Sequence, residues 1–422
     1  MFNFSYPPSL PFLRNGLAAA LALSLFASSA LAQTADQPPT LKQALDAAWQ
    51  NSSQSRSLDN RRSELAAKEK AASSWISGEP IAGIAHRTDR LNKNEGLREY
   101  EAEIELPLWN PGVRNAAQAD VSAQRQGFDG QFALARLKLA GELRALAASA
   151  ATAQVELGLN KRKLQDANAL TQDLLRRVKA GENARVDALQ AQVLTQQAQA
   201  AMAQAEGQLA RLQSQWRSLT GLTTVAPLEE KLVTTAANET IAAPTAADHP
   251  ALRQALAQLS GAQAKLALAT ADKRDPMSVG LAVGRERGNF AAAGETTLRI
   301  ALRIPLGGDN RNAPRQAAAK AELDTAQAEL DAVQRQLPAE VAAATAELRA
   351  ARLAQTAATE RARLSTEVQT LITKSWRLGD SDLPTRLRAD NEQFEASLSF
   401  AKASIDVQRA IANLNQAHGV LP

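Results

Sequence analysis

The stretch LREYEAEIELPLWNPG, residues 97–112, holds the pattern that decides the fold. Its apolar residues alternate with acidic ones, and the acidic set is Glu99, Glu101, Glu103 and Glu105. Successive side chains of a strand point to opposite faces, so this period of two predicts a β-strand with all four glutamates on one face. Tyr100 and Ile104 would lie on the other face. Pro107 ends the strand, and Asn110-Pro111-Gly112 turns the chain back into helix.

A second copy of this pattern lies 198 residues later, in TTLRIALRIPLGG, residues 296–308. There the apolar residues Leu298, Ile300 and Leu302 alternate with Arg299, Ala301 and Arg303. The match extends well beyond the strand, because residues 51–221 reappear in register at 249–419, and both copies end on glycine. Tandem copies of this length indicate a chain built from two equal structural units.

Each copy reads as a helix, a strand hairpin, a very long helix, a tight turn and a long returning helix. We expect a signal segment at 1–32, a first repeat at 33–221 (β-hairpin about 80–108, helical hairpin 112–220), a connector at 222–248, and a second repeat at 249–422 (β-hairpin about 278–306, helical hairpin 312–418). The first helix should run from Leu41 to about Ser77. The long helix from Val113 to about Lys179 would measure roughly 100 Å. Pro338 should kink or interrupt its counterpart in the second copy.

The composition suits long helices, since aromatic residues make up only 4% of the chain and alanine, leucine, glutamine, arginine and glutamate dominate. Apolar residues at three- and four-residue spacing predict antiparallel coiled coils. The 48 basic residues nearly balance the 44 acidic ones, and no basic run carries interleaved aromatic residues. We therefore expect no nucleic-acid partner.

Residues for covalent chemistry are not grouped in any known arrangement. The chain has no cysteine, which excludes a disulfide framework, a thiolate nucleophile and a cysteine metal site. The three histidines, His86, His249 and His418, lack metal-ligand spacing. There is no phosphate-binding glycine loop and no Ser/His/Asp arrangement. We predict that the chain is not an enzyme and has no cofactor and no metal site.

The N-terminus has the layout of a secretory signal. Arg14 precedes an apolar run from Leu17 to Leu25, and Ala30-Leu31-Ala32 fits the small-residue cleavage rule. A membrane anchor is the alternative, but the apolar run is short. No run of 18 apolar residues follows residue 32. Three locations stay open: the periplasm, the cell exterior, or a membrane crossed by β-strands about ten residues long.

Together these segments resemble the TolC-type outer membrane efflux proteins, the outer membrane factors of tripartite exporters. The resemblance covers nearly all of the sequence after the signal segment. Its most specific parts are the strand-to-helix corners at 104–114 and 302–308 and the helix-hairpin tips at 177–191 and 376–389. The short length is more similar to the heavy-metal cation branch than to the drug-efflux branch.

The resemblance implies a mostly helical fold with a pair of membrane β-hairpins. Two tandem repeats of long antiparallel coiled-coil helices would supply four strands per chain to a trimeric, 12-stranded β-barrel. It implies a homotrimer in the bacterial outer membrane, a helical tunnel in the periplasm, a periplasmic adaptor (membrane fusion protein) and an inner-membrane pump of the RND type. Independently, four strands cannot close a barrel and hydrocarbon tolerates no open sheet edge, so several chains must contribute.

The strand pattern then predicts two surfaces. The barrel lumen would be lined by Glu99, Glu101, Glu103, Glu105, Arg299 and Arg303. At the 198-residue offset Arg299 replaces Glu101 and Arg303 replaces Glu105, opposite in sign, so acidic and basic stripes would alternate around the lumen wall. The outer-membrane lipid would meet Tyr100, Ile104, Leu298, Ile300 and Leu302. A soluble hairpin with one wet face is the alternative, and it would require helices to cover those apolar residues.

The helix tips form the third candidate surface. In the family, the corresponding tips close the periplasmic end and dock onto the adaptor, which implies such a role for Lys179, Gly181, Asp187, Arg377, Gly379, Asp380 and Asp382. Helix capping also accounts for most of these residues. Where the family often carries acidic gate residues, this chain has Thr385 and Arg388, so the gate residues are not assigned.

We interpret the chain as a passive, trimeric export duct for small solutes or metal cations, opened by an iris-like movement of the helix tips. Two alternatives remain open from the sequence. One is a periplasmic coiled-coil adaptor, although adaptors carry one helical hairpin and a β-rich domain rather than two equal copies. The other is an outer-membrane duct for type I protein secretion, which would share the same fold.

Overall fold

The computed structural model describes residues 38–232, 248–307 and 309–422, with the side chains of 309–311 left aside. The expected signal segment and residues 233–247 of the expected connector lie outside the described residues. Along the described chain the elements are α1 (Leu41–Asn51), α2 (Ser53–Ser73), β1 (Ile81–Thr88), β2 (Arg98–Leu108), α3 (Val113–Lys179), α4 (Arg185–Thr220), α5 (Pro250–Ala271), β3 (Met277–Arg287), β4 (Glu295–Arg303), α6 (Asp309–Leu378) and α7 (Leu383–Ala417).

The four strands form one antiparallel sheet in the order β1-β2-β3-β4. Each hairpin pairs internally, and β2 joins the two hairpins by pairing with β3, so that Ile104 faces Ala82 on one side and Leu281 on the other. Strand lengths of 8, 11, 11 and 9 residues are those needed for a tilted crossing of a bilayer. The predicted fold class, long helices with two β-hairpins, is confirmed.

The helices form a layer below the sheet. Helices α3 and α6, of 67 and 70 residues, each measure roughly 100 Å. Helix α4 packs against α3, α3 against α7, and α7 against α6, while α5 lies between α3 and α6. The layer therefore has α4 at one edge and α6 at the other.

The first helix differs from the sequence prediction. A single helix from Leu41 to about Ser77 was wrong, because the chain breaks at Ser52 and α2 ends at Ser73. Ser52 has extended backbone angles, and its N–H donates to the Trp49 carbonyl at 3.0 Å. Its Oγ accepts a hydrogen bond from the Ser55 N–H at 3.1 Å. The serine thus ends one helix and caps the next, a local alternative that the apolar periodicity did not reveal.

Of the kink or interruption expected at Pro338, the interruption is wrong, since α6 continues through Pro314 and Pro338 as one helix. Pro338 cannot bond the Gln334 carbonyl, but both residues are exposed. Water can therefore satisfy the carbonyl that the proline leaves unpaired, and the helix persists.

The largest apolar cluster among the described residues joins helices α1, α3 and α4 and includes no residue of the sheet. Leu45 of α1, Leu143 of α3 and Trp216 of α4 are fully buried there, and Ala226 and Leu228 of the segment after α4 join them. Burial of these side chains fixes α1, the middle of α3, the C-terminal end of α4 and the segment after α4 against each other.

Within residues 38–232, 248–307 and 309–422, no helix combines the length and apolar character needed to cross a lipid bilayer.

Candidate functional site

The polar face of the sheet carries ion pairs that join the two repeats. Glu101 of β2 pairs with Arg299 of β4, and Glu105 pairs with Arg303. Arg303 also lies 3.4 Å from Glu103. These are the two pairs matched by the 198-residue offset, so the structure brings the predicted lumen residues together on one face. Glu99, at the end of the row, lies 3.5 Å from Arg87 of β1.

Strand β3 lies between the paired residues and explains how they meet. Its residues on this face, between β2 and β4, are Gly280, Ala282 and Gly284, which pair in register with Glu105, Glu103 and Glu101. Alternate strands are about 10 Å apart, a distance that a long arginine side chain spans only if nothing rises from the strand between. The small residues of β3 supply that passage. These residues carry no charge and no periodic apolar pattern, so no signal in the sequence marks them.

The opposite face of the sheet is apolar and bare. Tyr100 and Ile104 are about half exposed, and exposure reaches 66% at Leu298, 73% at Ile300 and 62% at Leu302. These are the residues predicted to face lipid. The soluble-hairpin alternative required helices to cover these residues, but the helices of the chain leave them exposed. A bare apolar area of this kind marks a surface that contacts lipid or another protein.

The two hairpin loops at the far end of the sheet are tied together. The Phe290 N–H donates to the Glu95 carbonyl at 3.0 Å, and Asp89 Oδ2 accepts from the Glu95 N–H at 2.6 Å. Gly96 has a φ of +104°, and a Cβ there would lie 2.5 Å from the Phe290 nitrogen. Only glycine fits this position, because a side chain would meet both the backbone strain and the neighbouring loop.

Each helical hairpin ends in the same turn at the tip opposite the sheet. Gly181 and Gly379 have φ values of +80° and +85°. The Glu182 N–H donates to the Arg177 carbonyl at 2.9 Å, and the Asp380 N–H donates to the Ser375 carbonyl at 3.0 Å. This is the Schellman arrangement, in which a left-handed glycine lets the last carbonyls of a helix find donors.

The predicted tip residues lie where the sequence placed them, at the end of the helical layer. Those exposed to solvent are Lys179, Gly181, Arg377, Gly379, Asp380 and Asp382, while Asp187 is half-buried. Asp382 accepts from the Thr385 N–H at 3.0 Å and caps α7. Hydrogen bonds from Thr385 lower the pKa of Asp382, so its carboxylate stays charged.

Trp376 joins the two tips, a role that no pattern in the sequence indicates. It is 6% exposed and packs against Leu174 of α3 and Leu383 of α7. Its ring lies 4.5 Å from the Arg177 guanidinium and 4.1 Å from that of Arg386. Burial lowers the pKa of Arg386, and the nearby Asp390 opposes that effect. The ring and both cations therefore hold the two hairpins as one unit.

A buried ion pair near the middle of the molecule was also missed. Arg144 donates to both carboxylate oxygens of Glu230, at 2.7 and 2.9 Å, and to Gln416 Oε1 at 2.6 Å. It also donates to the Val420 carbonyl at 3.0 Å. The Arg144 side chain is only 3% exposed. One side chain thus connects α3, the segment after α4 and the end of α7, which lie far apart in sequence.

His86 packs against an aromatic ring on the apolar face of the sheet. His86 stacks on Tyr100 with ring centroids 4.4 Å apart, on the face opposite the glutamates rather than beside them. In the part of the chain that the structure describes, no group of three or more histidine, aspartate or glutamate side chains could hold a metal ion.

A sheet with one bare apolar face, standing at the end of a layer of 100 Å helices, defines the fold of the TolC-type outer membrane channels. Comparison with solved structures supports this fold directly. The chain is similar to the CmeC outer membrane channel of Campylobacter jejuni, with a TM-score of 0.73 and 13% identity over 99% of this chain and 94% of that one.

Two further channels give the same result. VceC, an outer membrane protein of Vibrio cholerae, has a TM-score of 0.70 and 14% identity over 90% of this chain and 96% of its own. The open-state MtrE channel of Neisseria gonorrhoeae has a TM-score of 0.70 and 18% identity over 90% and 89%. No protein-family model and no curated protein sequence matches the chain. The predicted TolC-type fold is confirmed.

Proposed function

We propose that this protein is the outer-membrane channel of a tripartite efflux system, a passive trimeric duct with its sheet in the outer membrane and its helices in the periplasm. The observation that carries the proposal is the sheet itself. Its apolar face is bare, and its polar face carries ion pairs within the chain. Such a sheet suits a wall between lipid and water, and the fold is that of outer membrane channels.

The open edges of the sheet support a trimer. Strands β1 and β4 each pair on one side only, within the described residues. In hydrocarbon, the N–H and C=O groups of both edges would lack partners, which costs several kcal/mol for each group. Pairing β4 of one chain with β1 of the next removes both edges, and three chains give twelve strands. Four strands alone are half the number in the smallest spanning barrels.

The edges of the helical layer lead to the same arrangement. Helix α6 carries a bare apolar stripe at Leu364, Val368 and Leu371, and helix α4 carries another at Val186, Leu189 and Val193. Both stripes have the spacing of one helix face. They lie on opposite edges of the layer, so a stripe on one chain can meet the other stripe on the next chain. Contacts of that head-to-tail kind close into a ring when the rotation allows.

The remaining partners follow from the position of the tips. The exposed charges around Gly181 and Gly379 would dock a periplasmic adaptor, which connects the duct to an inner-membrane pump of the RND type. The pump supplies the energy, and the duct carries small solutes or metal cations without covalent chemistry.

A matched pair of aspartate variants tests the proposal. Leu302→Asp places a carboxylate on the bare face, where burial in lipid would cost on the order of 2 kcal/mol in each chain. Ala301→Asp places the same group one residue away on the polar face. We expect L302D to abolish heat-modifiable trimers in outer-membrane fractions and A301D to leave them intact. Equal trimer yield for both variants would contradict the membrane role, because a water-exposed leucine tolerates aspartate.

The second candidate function is a duct for type I protein secretion, since such a duct would have the same fold. Export assays separate the two: loss of the gene should sensitise cells to small toxic solutes or metals if the duct serves efflux. A loss of a secreted protein from the medium, with unchanged solute resistance, would favour secretion instead.

A further inference from the structure

Charged residues at the loop end of the sheet are sorted between its two faces. On the polar face, Glu99, Glu286 and Glu295 stand in register across β2, β3 and β4. On the apolar face at the same height, Arg98 of β2 pairs in register with Arg287 of β3. At this end of the sheet the polar face therefore carries carboxylates and the apolar face carries guanidinium groups.

A third arginine extends the basic side. Arg285 lies on the same face as Arg287, one step further along β3, and pairs in register with Tyr100. Its side chain runs beside Gly294, before the start of β4. The three residues therefore form a basic row, Arg98, Arg285 and Arg287, directly above the bare apolar residues of the same face.

The basic row has no acidic partner. Among the residues that the structure describes, no carboxylate lies within ion-pair distance of Arg98, Arg285 or Arg287. The Arg287 guanidinium lies 5.6 Å from the Phe290 ring, and its Nε is buried without a hydrogen-bond partner. Like charges directly opposite each other on adjacent strands destabilise a sheet. Their retention here is explained if an anion lies between them.

The position of the row identifies the class of anion. It lies at the end of the sheet away from the helices, between the polar loops and the apolar band. In the proposed orientation this is the outer rim of the membrane, where lipid headgroups lie and acyl chains extend along the apolar face below. Arginine binds phosphate oxygens in a bidentate manner and is less strongly hydrated than lysine.

We propose that Arg98, Arg285 and Arg287 bind the phosphate groups of a phosphorylated, multi-acyl glycolipid of the outer leaflet. The site would anchor the rim of the sheet and fix its depth in the membrane. This inference rests on the proposed function, because it requires the sheet to stand in the outer membrane.

The experiment measures lipid A binding to the purified, full-length protein in phosphatidylcholine nanodiscs. The test variant is Arg98→Gln/Arg285→Gln/Arg287→Gln. The control is Arg90→Gln/Lys93→Gln, which removes positive charge from the exposed loop at the same end of the sheet, off the basic row and outside the Arg87–Glu99 ion pair. Each charge-assisted hydrogen bond from an arginine to a phosphate contributes roughly tenfold or more, so the test variant should bind at least about 100-fold more weakly. The control should bind as the wild type does.

A second arm identifies the phosphate as the recognised group. Lipid A without its phosphates should bind the wild type as weakly as intact lipid A binds the test variant. The inference is overturned if both variants weaken binding equally, if neither does, or if dephosphorylated lipid A binds normally. Trimers that assemble in the outer membrane while binding lipid A unchanged would refute only this inference. Failure of the wild type to assemble there would refute the proposed function first.

Discussion

The buried ion pair Arg144–Glu230 gives the sharpest test of how the two repeats are held together. Glu230→Gln keeps the size of the side chain and removes its charge, leaving the Arg144 guanidinium buried with neutral partners. Removing one member of a buried pair costs about 3–5 kcal/mol. Arg144 retains its bonds to Gln416 and to the Val420 carbonyl. We therefore expect a cost near the lower limit, about 3 kcal/mol.

The double variant Arg144→Met/Glu230→Leu supplies the contrast. Replacing both charges by apolar groups of similar size can be nearly neutral. Here Gln416, the Val420 carbonyl and Asn415 each lose a partner, since Arg144 donates to the first two and Asn415 donates to Glu230 at 2.9 Å. Three such losses cost about 3 kcal/mol. The two single variants together would cost about 6 kcal/mol, so the coupling energy should be about 3 kcal/mol.

Hydrogen exchange on the intact protein measures these values at peptides covering 140–147 and 410–417. The control is the exposed pair Arg361–Glu392, whose atoms approach to 2.6 Å with both side chains about half exposed. Glu392→Gln should leave exchange unchanged, because solvent screens an exposed pair. A double variant that loses as much stability as the two single variants combined would contradict the coupling between Arg144 and Glu230. So would an E230Q variant whose hydrogen exchange is unchanged, as expected for E392Q.

Three further predictions concern the tips and the helix ends. In a trimer, three copies of Asp380 and Asp382 at the tips would ring the entrance and favour cations. Asp380→Asn with Asp382→Asn should therefore leave trimers intact and reduce the cation preference of single channels, since these carboxylates are exposed; an unchanged preference would contradict such a ring. Trp376→Ala should cost about 3 kcal/mol locally and raise basal conductance, whereas unchanged exchange at the tips would contradict the joint. Burial lowers the pKa of His249 and His418 below 6.5, so the stability they contribute is complete above that pH and is lost as pH falls. The trimer dissociation temperature should therefore drop between pH 7.5 and 5, and less so in His249→Asn, which keeps the helix cap.

Much of the fold could be predicted from the sequence because its signals are local. The alternation of Glu101 and Glu103 with Ile104 fixes a strand and its two faces, whatever lies nearby. Gly181 and Gly379 mark the helix turns, since only glycine adopts their backbone angles without strain. The long helix from Val113 to Lys179 was predicted with its observed bounds.

Other features depend on contacts that no local pattern contains. At Ser52 a hydrogen bond from the Ser55 N–H to the serine side chain replaces the helical conformation and breaks the helix. Helix α6 continues through Pro338 because the unpaired carbonyl there is exposed to water. The docking of the tip residues onto an adaptor stays a prediction, because docking depends on the surface of the adaptor as well as on this chain.

The sequence by itself determined the two repeats, the two faces of each main strand and the turns of the helical hairpins, because each follows from residues within a few positions of one another. Only the tertiary structure decided which charges meet. Arg299 reaches Glu101 because β3 places small residues between them, and Arg144 meets Glu230 because three distant segments converge in the core. Those distances are set by packing among segments about 90 to 280 residues apart, which periodicity does not encode.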